Sequence, residues 1–360
     1  MAHPLNGANL GTLAAVIGRS GLPQKPLQGA MIGLSSLARA PFSLAEKVWL
    51  ETRLPDAEAM VPPVFILGHW RSGTTHLYNL MTKSDEWGYV PPVATGLPWD
   101  LFGLGRLFKP VLERALPSHR YIDNIPVNPD SPQEDEIALA NMSPLSFYHG
   151  IYFPSDFADY LNRGIFFNGC TKSEIDQWEE RFQYLMRKLY LYNDEKPMLI
   201  KNPVYTARLA QLRRLFPTAK FIHIHRNPHQ VFRSMQNFYT KLLGQFALQG
   251  YDHVNIDEAI LSIYPRMMHA LEKDAEGLSD DQFIEIGYDA LDTDPIGTVE
   301  NIYRALNLPG FETSRPQFEA YLNSVQSFEK NKFEPTQKAG QQVNDRWGYF
   351  LNKWGYENAQ

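Results

Sequence analysis

An α/β fold with a central parallel sheet is what this 360-residue sequence predicts. Three features predict it. The first is Val64–Met81, VFILGHWRSGTTHLYNLM, which reads as a short apolar strand, a glycine-bounded turn and a helix. The second is alternation. The apolar runs Val64–Leu67, Met198–Ile200, Lys220–His225 and Phe283–Ile286 are separated by segments with helical spacing. Strands that alternate with helices imply parallel pairing with helices on both faces. The third is length, which suffices for one large domain or one domain plus a small lobe. The turn Gly68–Thr75 has the GxxxxG spacing of a nucleotide-binding P-loop. The expectation is therefore a P-loop-like three-layer fold, with its ligand beyond the C-terminal strand ends.

The elements follow in order. Residues 1–25 are punctuated by Gly and Pro and are expected to be loose. Leu27–Leu54 has the pattern of one or two amphipathic helices, so residues 1–60 form an N-terminal arm. That arm would pack on the core or on a second copy of the chain. Contact with a membrane surface is the alternative, with few cations in the segment to attract anionic lipid. The α/β domain should span 61–325. It carries a helical, aromatic-rich insertion at about 87–170, judged from its Pro-broken and aromatic stretches. Within the insertion, Ser131-Pro132-Gln133-Glu134 reads as a capped helix start running to about Met142. Phe147–Phe167 suits either the wall of an acceptor pocket or a packed core. Ser173–Tyr192 is strongly amphipathic. Residues 326–360 would close over the site or pack on the core, with Trp347 and Trp354 as anchors.

Composition excludes several classes. The net charge is −6 and no long basic run exists, which argues against a nucleic-acid partner. Cys170 is the single cysteine, so neither an internal disulfide nor a cysteine zinc cluster can form. No run of eighteen apolar residues is present and the N-terminus lacks a signal-peptide pattern. A soluble cytoplasmic protein is the expectation.

The chemistry concentrates at strand ends. Successive backbone N–H groups in Gly68–Thr75, with the following helix N-terminus, make a cradle for an anion. Thr74 stands where a P-loop has its lysine, but Arg71 lies inside the loop, and a planar guanidinium can clamp a phosphate or sulfate. Lys201 and Arg226 follow two further strands. Asn227-Pro228 then opens a helix carrying Ser234. A cation at a strand end and a hydroxyl eight residues on converge on one phosphate if the helix folds back beside the loop.

These residues carry a resemblance. RSGTTHL at Arg71–Leu77, KNP at Lys201–Pro203 and FIHIHRNPHQVFRSM at Phe221–Met235 resemble the motifs of sulfotransferases that use 3′-phosphoadenosine 5′-phosphosulfate. The pattern is most similar to the bacterial and tyrosylprotein branches, and it covers roughly Pro63 to Leu308. The resemblance implies transfer of a sulfonate to a hydroxyl of a small-molecule, lipid or glycan acceptor. Adenosine 3′,5′-bisphosphate would be the product, and no metal would be needed. It implies that Arg71, Ser72, Gly73, Thr74 and Thr75 hold the 5′-phosphate, and that Arg226 and Ser234 hold the 3′-phosphate. Lys201 would offset charge near the sulfonate, and Lys330 and Lys332 would close over the nucleotide.

For the catalytic base, Glu134 of the PQEDE stretch is the first choice and Asp135 the second, with His69 and His76 as rivals. Acids are also favourable in a first helical turn without any catalytic role. The lysine of the common soluble branch is absent at Arg71, and the acceptor-side histidine motif is not apparent, so the branch and the acceptor stay open. Two other functions compete. A nucleotide-dependent phosphotransferase would need a magnesium carboxylate and normally the P-loop lysine. A non-catalytic nucleotide-binding scaffold would keep the loop and dispense with the acid.

Overall fold

The structure is a computed structural model, and it describes residues 3–115, 131–325 and 337–357. In chain order the main elements are α1 (Leu10–Ser20), α2 (Pro26–Leu50), β1 (Val64–Leu67), α3 (Thr74–Met81), α4 (Pro92–Gly96), α5 (Leu104–Ala115), α6 (Asp135–Ala140), α7 (Tyr148–Tyr152), α8 (Phe157–Phe166), α9 (Lys172–Tyr192), β2 (Leu199–Lys201), α10 (Leu209–Leu215), β3 (Lys220–His225), α11 (Pro228–Phe246), α12 (Ile256–Ala275), β4 (Phe283–Gly287), α13 (Tyr288–Thr293), α14 (Pro295–Ala305), α15 (Phe311–Ser324) and α16 (Gln337–Lys353).

They divide into two compact units. One comprises Met1–Val61, Gly88–Met198 and Leu242–Val254; the other comprises Pro62–Trp87, Leu199–Lys241 and Asn255–Gln360. The arm and the insertion expected as separate additions thus share one unit.

The second unit holds the sheet. Its four strands lie in the order β2-β1-β3-β4 and every pair is parallel. Phe65 and Ile66 are paired with Ile200 and Lys201 on one side and with Phe221 and Ile222 on the other. β1 is buried at all four positions. A strand buried on both faces reads as a continuous apolar run, which is why VFIL was legible without alternation. From β1 the chain moves to β2 on one side; from β3 it moves to β4 on the other. Adjacent strands whose connections leave in opposite directions open a crevice at their C-terminal ends. That crevice lies between β1 and β3, where Gly68 and Arg226 begin their loops.

The C-terminal helix α16 packs on α12. The Trp347 ring stacks on Tyr264 with centroids 4.0 Å apart, and its Nε1 donates to the Leu261 carbonyl at 3.0 Å. Trp354 stacks on His225 at 4.5 Å. Both tryptophans therefore anchor the C-terminal segment to its own unit.

The first unit is helical. Residues 1–25, expected to be loose, instead contain α1. The Asn9 side chain caps it by accepting from Thr12 N at 2.8 Å, and Leu13 and Val16 are buried. Local capping and one apolar face outweigh the flanking glycines and prolines. The aromatic-rich stretch is core: Phe147, Tyr152, Phe153 and Tyr160 are buried, and the Tyr148 and Tyr152 rings stack at 5.9 Å. Buried ion pairs tie the helices. Lys188 Nζ on α9 donates to Glu46 Oε1 on α2 at 2.7 Å, and Arg39 pairs with Asp100.

The start of α6 differs from the capped turn expected at Ser131. The helix begins at Asp135, and Glu134 occupies the N-cap with an extended backbone and no side-chain cap bond. Gln133 Nε2 instead donates to the Ser131 carbonyl at 3.1 Å. The capping box that would have given Glu134 a purely structural role does not form.

Candidate functional site

The loop after β1 is held by two glycines that have no substitute. Gly68 has φ 142°, and a Cβ there would lie 2.5 Å from the Ile224 carbonyl oxygen of β3. Gly73 has φ 103°, and a Cβ there would collide with the Tyr288 ring. Positive φ and close approach together demand glycine. Gly68 N donates to Thr206 Oγ1 at 2.8 Å. Thr206 lies in a 3₁₀ turn, Pro203–Ala207, which Asn202 caps by accepting from Val204 N at 3.0 Å. The KNP motif is thus a brace for the loop as well as a source of Lys201.

Arg71 adopts φ 72°, a left-handed conformation uncommon for a residue with a long side chain. Backbone strain of this kind, of order 1–3 kcal/mol, persists where the surroundings enforce it. The surroundings here are specific. Arg71 Nε donates to Ser234 Oγ at 2.7 Å, which joins the loop after β1 to the helix after β3. Arg226 Nη1 donates to the Arg71 carbonyl at 3.5 Å, and its guanidinium lies over the Tyr288 ring at 4.2 Å. Burial, opposed by Tyr288 and reinforced by the nearby Arg71 charge, holds the Arg226 pKa below its ordinary value. A guanidinium starts so far above neutrality that Arg226 still carries its charge there. Lys201 is buried at the end of β2, with Nζ 3.3 Å from Thr75 Oγ1.

Three cations therefore gather around a loop whose own hydroxyl is unanswered. Ser72 is buried and its Oγ has no hydrogen-bond partner. A buried hydroxyl in that state is expensive unless something else supplies the bond. With the N-terminus of α3, whose macrodipole end is positive, the loop offers donors and positive charge on one side. This arrangement suits an oxyanion such as phosphate or sulfate.

The remaining sequence candidates fall in different places. Thr74 is buried at the start of α3. His69 is in the core: its Nδ1 donates to the Trp70 carbonyl at 3.0 Å, its ring lies 5.0 Å from Tyr264, and burial lowers its pKa to about 4. It was expected to face the ligand because its neighbours do; it is buried, with its ring against Tyr264. Glu134 and Asp135 lie at the start of α6 in the helical unit. Asp135 is fully buried and Glu134 is half-buried. The neighbouring Glu136 accepts from Ser146 Oγ at 2.7 Å. Lys330 and Lys332 lie outside the described residues. Among the described residues, no group of three or more His, Cys, Asp or Glu side chains is placed to hold a metal ion.

Sequence reasoning missed two contributors. Tyr288 supports both Gly73 and Arg226, and its only signal was its place directly after the strand FIEIG. Thr206 had no signal, because a hydroxyl in a short turn is indistinguishable from any other polar residue.

The family profile described as the sulfotransferase family matches residues 62–313. The chain belongs to the sulfotransferase family. Membership makes it a transferase by descent. Two curated relatives are omega-hydroxy-beta-dihydromenaquinone-9 sulfotransferases from Mycobacterium bovis and Mycobacterium tuberculosis. Each is 28% identical over 326 residues, covering 89% of this chain and 82% of the relative. Among solved structures, sulfotransferase STF9 from Mycobacterium avium aligns over 98% of both chains with a TM-score of 0.70 at 14% identity. Sulfotransferase STF1 from Mycobacterium tuberculosis aligns over 93% of this chain and 90% of its own, with a TM-score of 0.63 at 20% identity. These likenesses establish the fold: a parallel sheet with flanking helices, shared with bacterial sulfotransferases.

Proposed function

We propose that this sulfotransferase uses 3′-phosphoadenosine 5′-phosphosulfate and transfers its sulfonate to a hydroxyl of an apolar-bodied, lipid-like acceptor. The observation that carries the reading is the contact between Arg71 and Ser234, 2.7 Å apart, with Arg226 against the Arg71 backbone. A 3′,5′-bisphosphorylated ribose carries two anions on one sugar. Two adjoining anion holders, one from the P-loop-like turn after β1 and one from the helix after β3, match that spacing in kind. A mononucleotide polyphosphate would need only the first.

The donor supplies an activated sulfonate: an S–O bond to the acceptor forms as the S–O bond to the 5′-phosphate breaks. Arg71, Ser72 and the α3 N-terminus would hold that phosphate and disperse the charge that grows on it. Preorganised donors of this kind lower a barrier without reorganising during reaction. Lys201 is buried beside Thr75 and would act where the sulfonate passes. Glu134 would take the acceptor proton as general base. Its half-buried place at the N-cap of α6 supports that role. Fixed cations would do the work that magnesium does in phosphoryl transfer.

The acceptor class rests on the relatives, whose printed names specify a hydroxyl on a menaquinone. The test is transfer of labelled sulfonate to primary alcohols of increasing apolar length, with EDTA present. Transfer that survives chelation and improves with chain length supports the proposal. Transfer of phosphate from ATP that requires magnesium would favour the phosphotransferase instead.

A further inference from the structure

Helix α2 is apolar on both sides. Ile32 and Leu50 face the interior of the unit, as an amphipathic helix requires. The outward side is also apolar. Leu27, Met31 and Leu34, at i, i+4 and i+7, are 81%, 61% and 66% exposed, and Leu44, Val48 and Trp49 extend the exposed apolar surface. The surface continues onto α5, where Leu107 and Phe108 are exposed. The segment leading into α5 is tied to α2: Glu46 Oε2 accepts from Phe102 N at 2.9 Å and Gly103 N at 2.7 Å, and Lys188 anchors its other oxygen. Contiguous exposed apolar surface on this scale marks an interaction site.

Charge identifies the partner. From Lys25 to Arg53 and from Leu101 to Lys109, the exposed charged residues are Lys25, Lys47, Arg53, Arg106 and Lys109 against Glu51 alone, and acids resume at Asp56. This basic apolar surface belongs to a chain whose net charge is −6. Where α2 meets α5, the Arg53 guanidinium lies over Trp49 at 4.6 Å and that of Arg106 over Phe102 at 4.9 Å, with the two rings 5.5 Å apart. Aromatic rings capped by arginines are suited to the boundary between acyl chains and headgroups. Among the described residues no helix is long and apolar enough to cross a membrane. An apolar face with cations beside it lies in the interface rather than spanning it.

We propose that the α2–α5 face docks this protein on an anionic lipid bilayer. The proposal stands on this surface alone and does not depend on the chemistry of the loop after β1. The expectation from Leu27–Leu54 by itself included few cations. The structure adds Arg106 and Lys109 from a segment 50 residues or more downstream of Lys47.

The test is flotation of the full chain with vesicles of phosphatidylcholine alone and of phosphatidylcholine with phosphatidylglycerol. The chain should partition at least ten-fold more onto the anionic vesicles, and 0.5 M salt should reverse most of that gain. Met31→Gln/Leu34→Gln and Arg106→Glu/Lys109→Glu should each reduce binding at least ten-fold, with unfolding temperatures near that of the unmutated chain. Failure of the unmutated chain to float with anionic vesicles overturns the proposal. So does a concentration-dependent dimer that Met31→Gln/Leu34→Gln dissociates without changing flotation, since the face would then cover a second copy. Should both double variants fail to fold, the single changes Leu34→Gln and Lys109→Glu must each lower flotation measurably, or the proposal is overturned.

Discussion

Arg71 Nε donates to Ser234 Oγ across 2.7 Å, binding the loop after β1 to the helix after β3. Neither element is near the other in sequence. The parallel order β2-β1-β3-β4 sets them side by side at the point where the connections diverge. On the proposed reading this pair joins two anion holders into one site and makes their energies interdependent. Arg71→Ala and Ser234→Ala should each weaken binding of adenosine 3′,5′-bisphosphate. Their effects should fall short of additive by about 0.5–3 kcal/mol, as for residues in direct contact. A double-mutant cycle by calorimetry measures the difference; strict additivity would show that the two side chains meet the ligand separately.

Gly73→Ala should damage the site more than its single methyl suggests. The residue has φ 103° and its Cβ would enter the Tyr288 ring. Left-handed backbone strain alone costs about 1–2 kcal/mol. Chemical denaturation should show a loss of this order or larger. Pairing it with Tyr288→Ala should recover only the steric part, because the backbone requirement remains. Full recovery in the double variant would place the whole effect in the ring.

Glu134→Gln should separate catalysis from folding. Glutamine keeps nearly the shape of the carboxylate at this half-buried position, so the unfolding temperature should change little. Loss of a general base typically costs about 10²–10⁴-fold in turnover. Asp135→Asn should behave differently, since that side chain is fully buried and its substitution disturbs folding first. Saturating-donor turnover measured beside thermal unfolding distinguishes them. Undiminished turnover in Glu134→Gln would assign the base elsewhere.

Acid should destabilise the protein from several buried imidazoles together. Burial lowers the pKa of His69 and of His149 to about 4 each, against an ordinary value of 6.5. The unfolded chain therefore binds protons at these positions that the folded chain refuses. Stability should fall as pH drops from 6.5 towards 4, by at most about 1.4 kcal/mol per pH unit for each such group. Glu285 adds to the loss at lower pH. Burial would raise its pKa, but the hydrogen bond and charge of His223 outweigh that and bring it to about 2. Its contribution is present above 4.5 and disappears as pH falls towards 2. His69→Asn keeps a donor near Trp70 and removes one titration, so urea denaturation against pH should lose one group's share of the slope between pH 6.5 and 4. An unchanged slope would mean that His69 takes up its proton in the folded state.

The sheet was legible in the sequence because each strand is a short apolar run beside a turn or helix signal. VFIL and FIHIH needed no tertiary knowledge, and the loop residues Gly68, Arg71 and Gly73 declared themselves by spacing. The start of α6 was misread because Ser-Pro-x-Glu fits a capping box locally, while the backbone stays extended through Glu134. The burial of His69 against Tyr264 was not legible, because membership in a loop does not fix which way a side chain turns. The roles of Tyr288 and Thr206 were not legible since they depend on packing between elements far apart in the chain. Likewise, the cations of α5 could not be credited to α2 until Glu46 was seen to hold the segment that leads into α5.

The central claim is that the crevice between β1 and β3 recognises a nucleotide by two phosphates on one ribose. The most direct measurement is calorimetric affinity for adenosine 3′,5′-bisphosphate beside adenosine 5′-monophosphate, in the unmutated protein and in Arg226→Ala. The bisphosphate should bind more tightly by about 1.5–3 kcal/mol, the size of a hydrogen bond to a charged group, and Arg226→Ala should remove most of that preference. Equal affinities for the two nucleotides in the unmutated protein, or a preference that survives Arg226→Ala intact, would contradict the account.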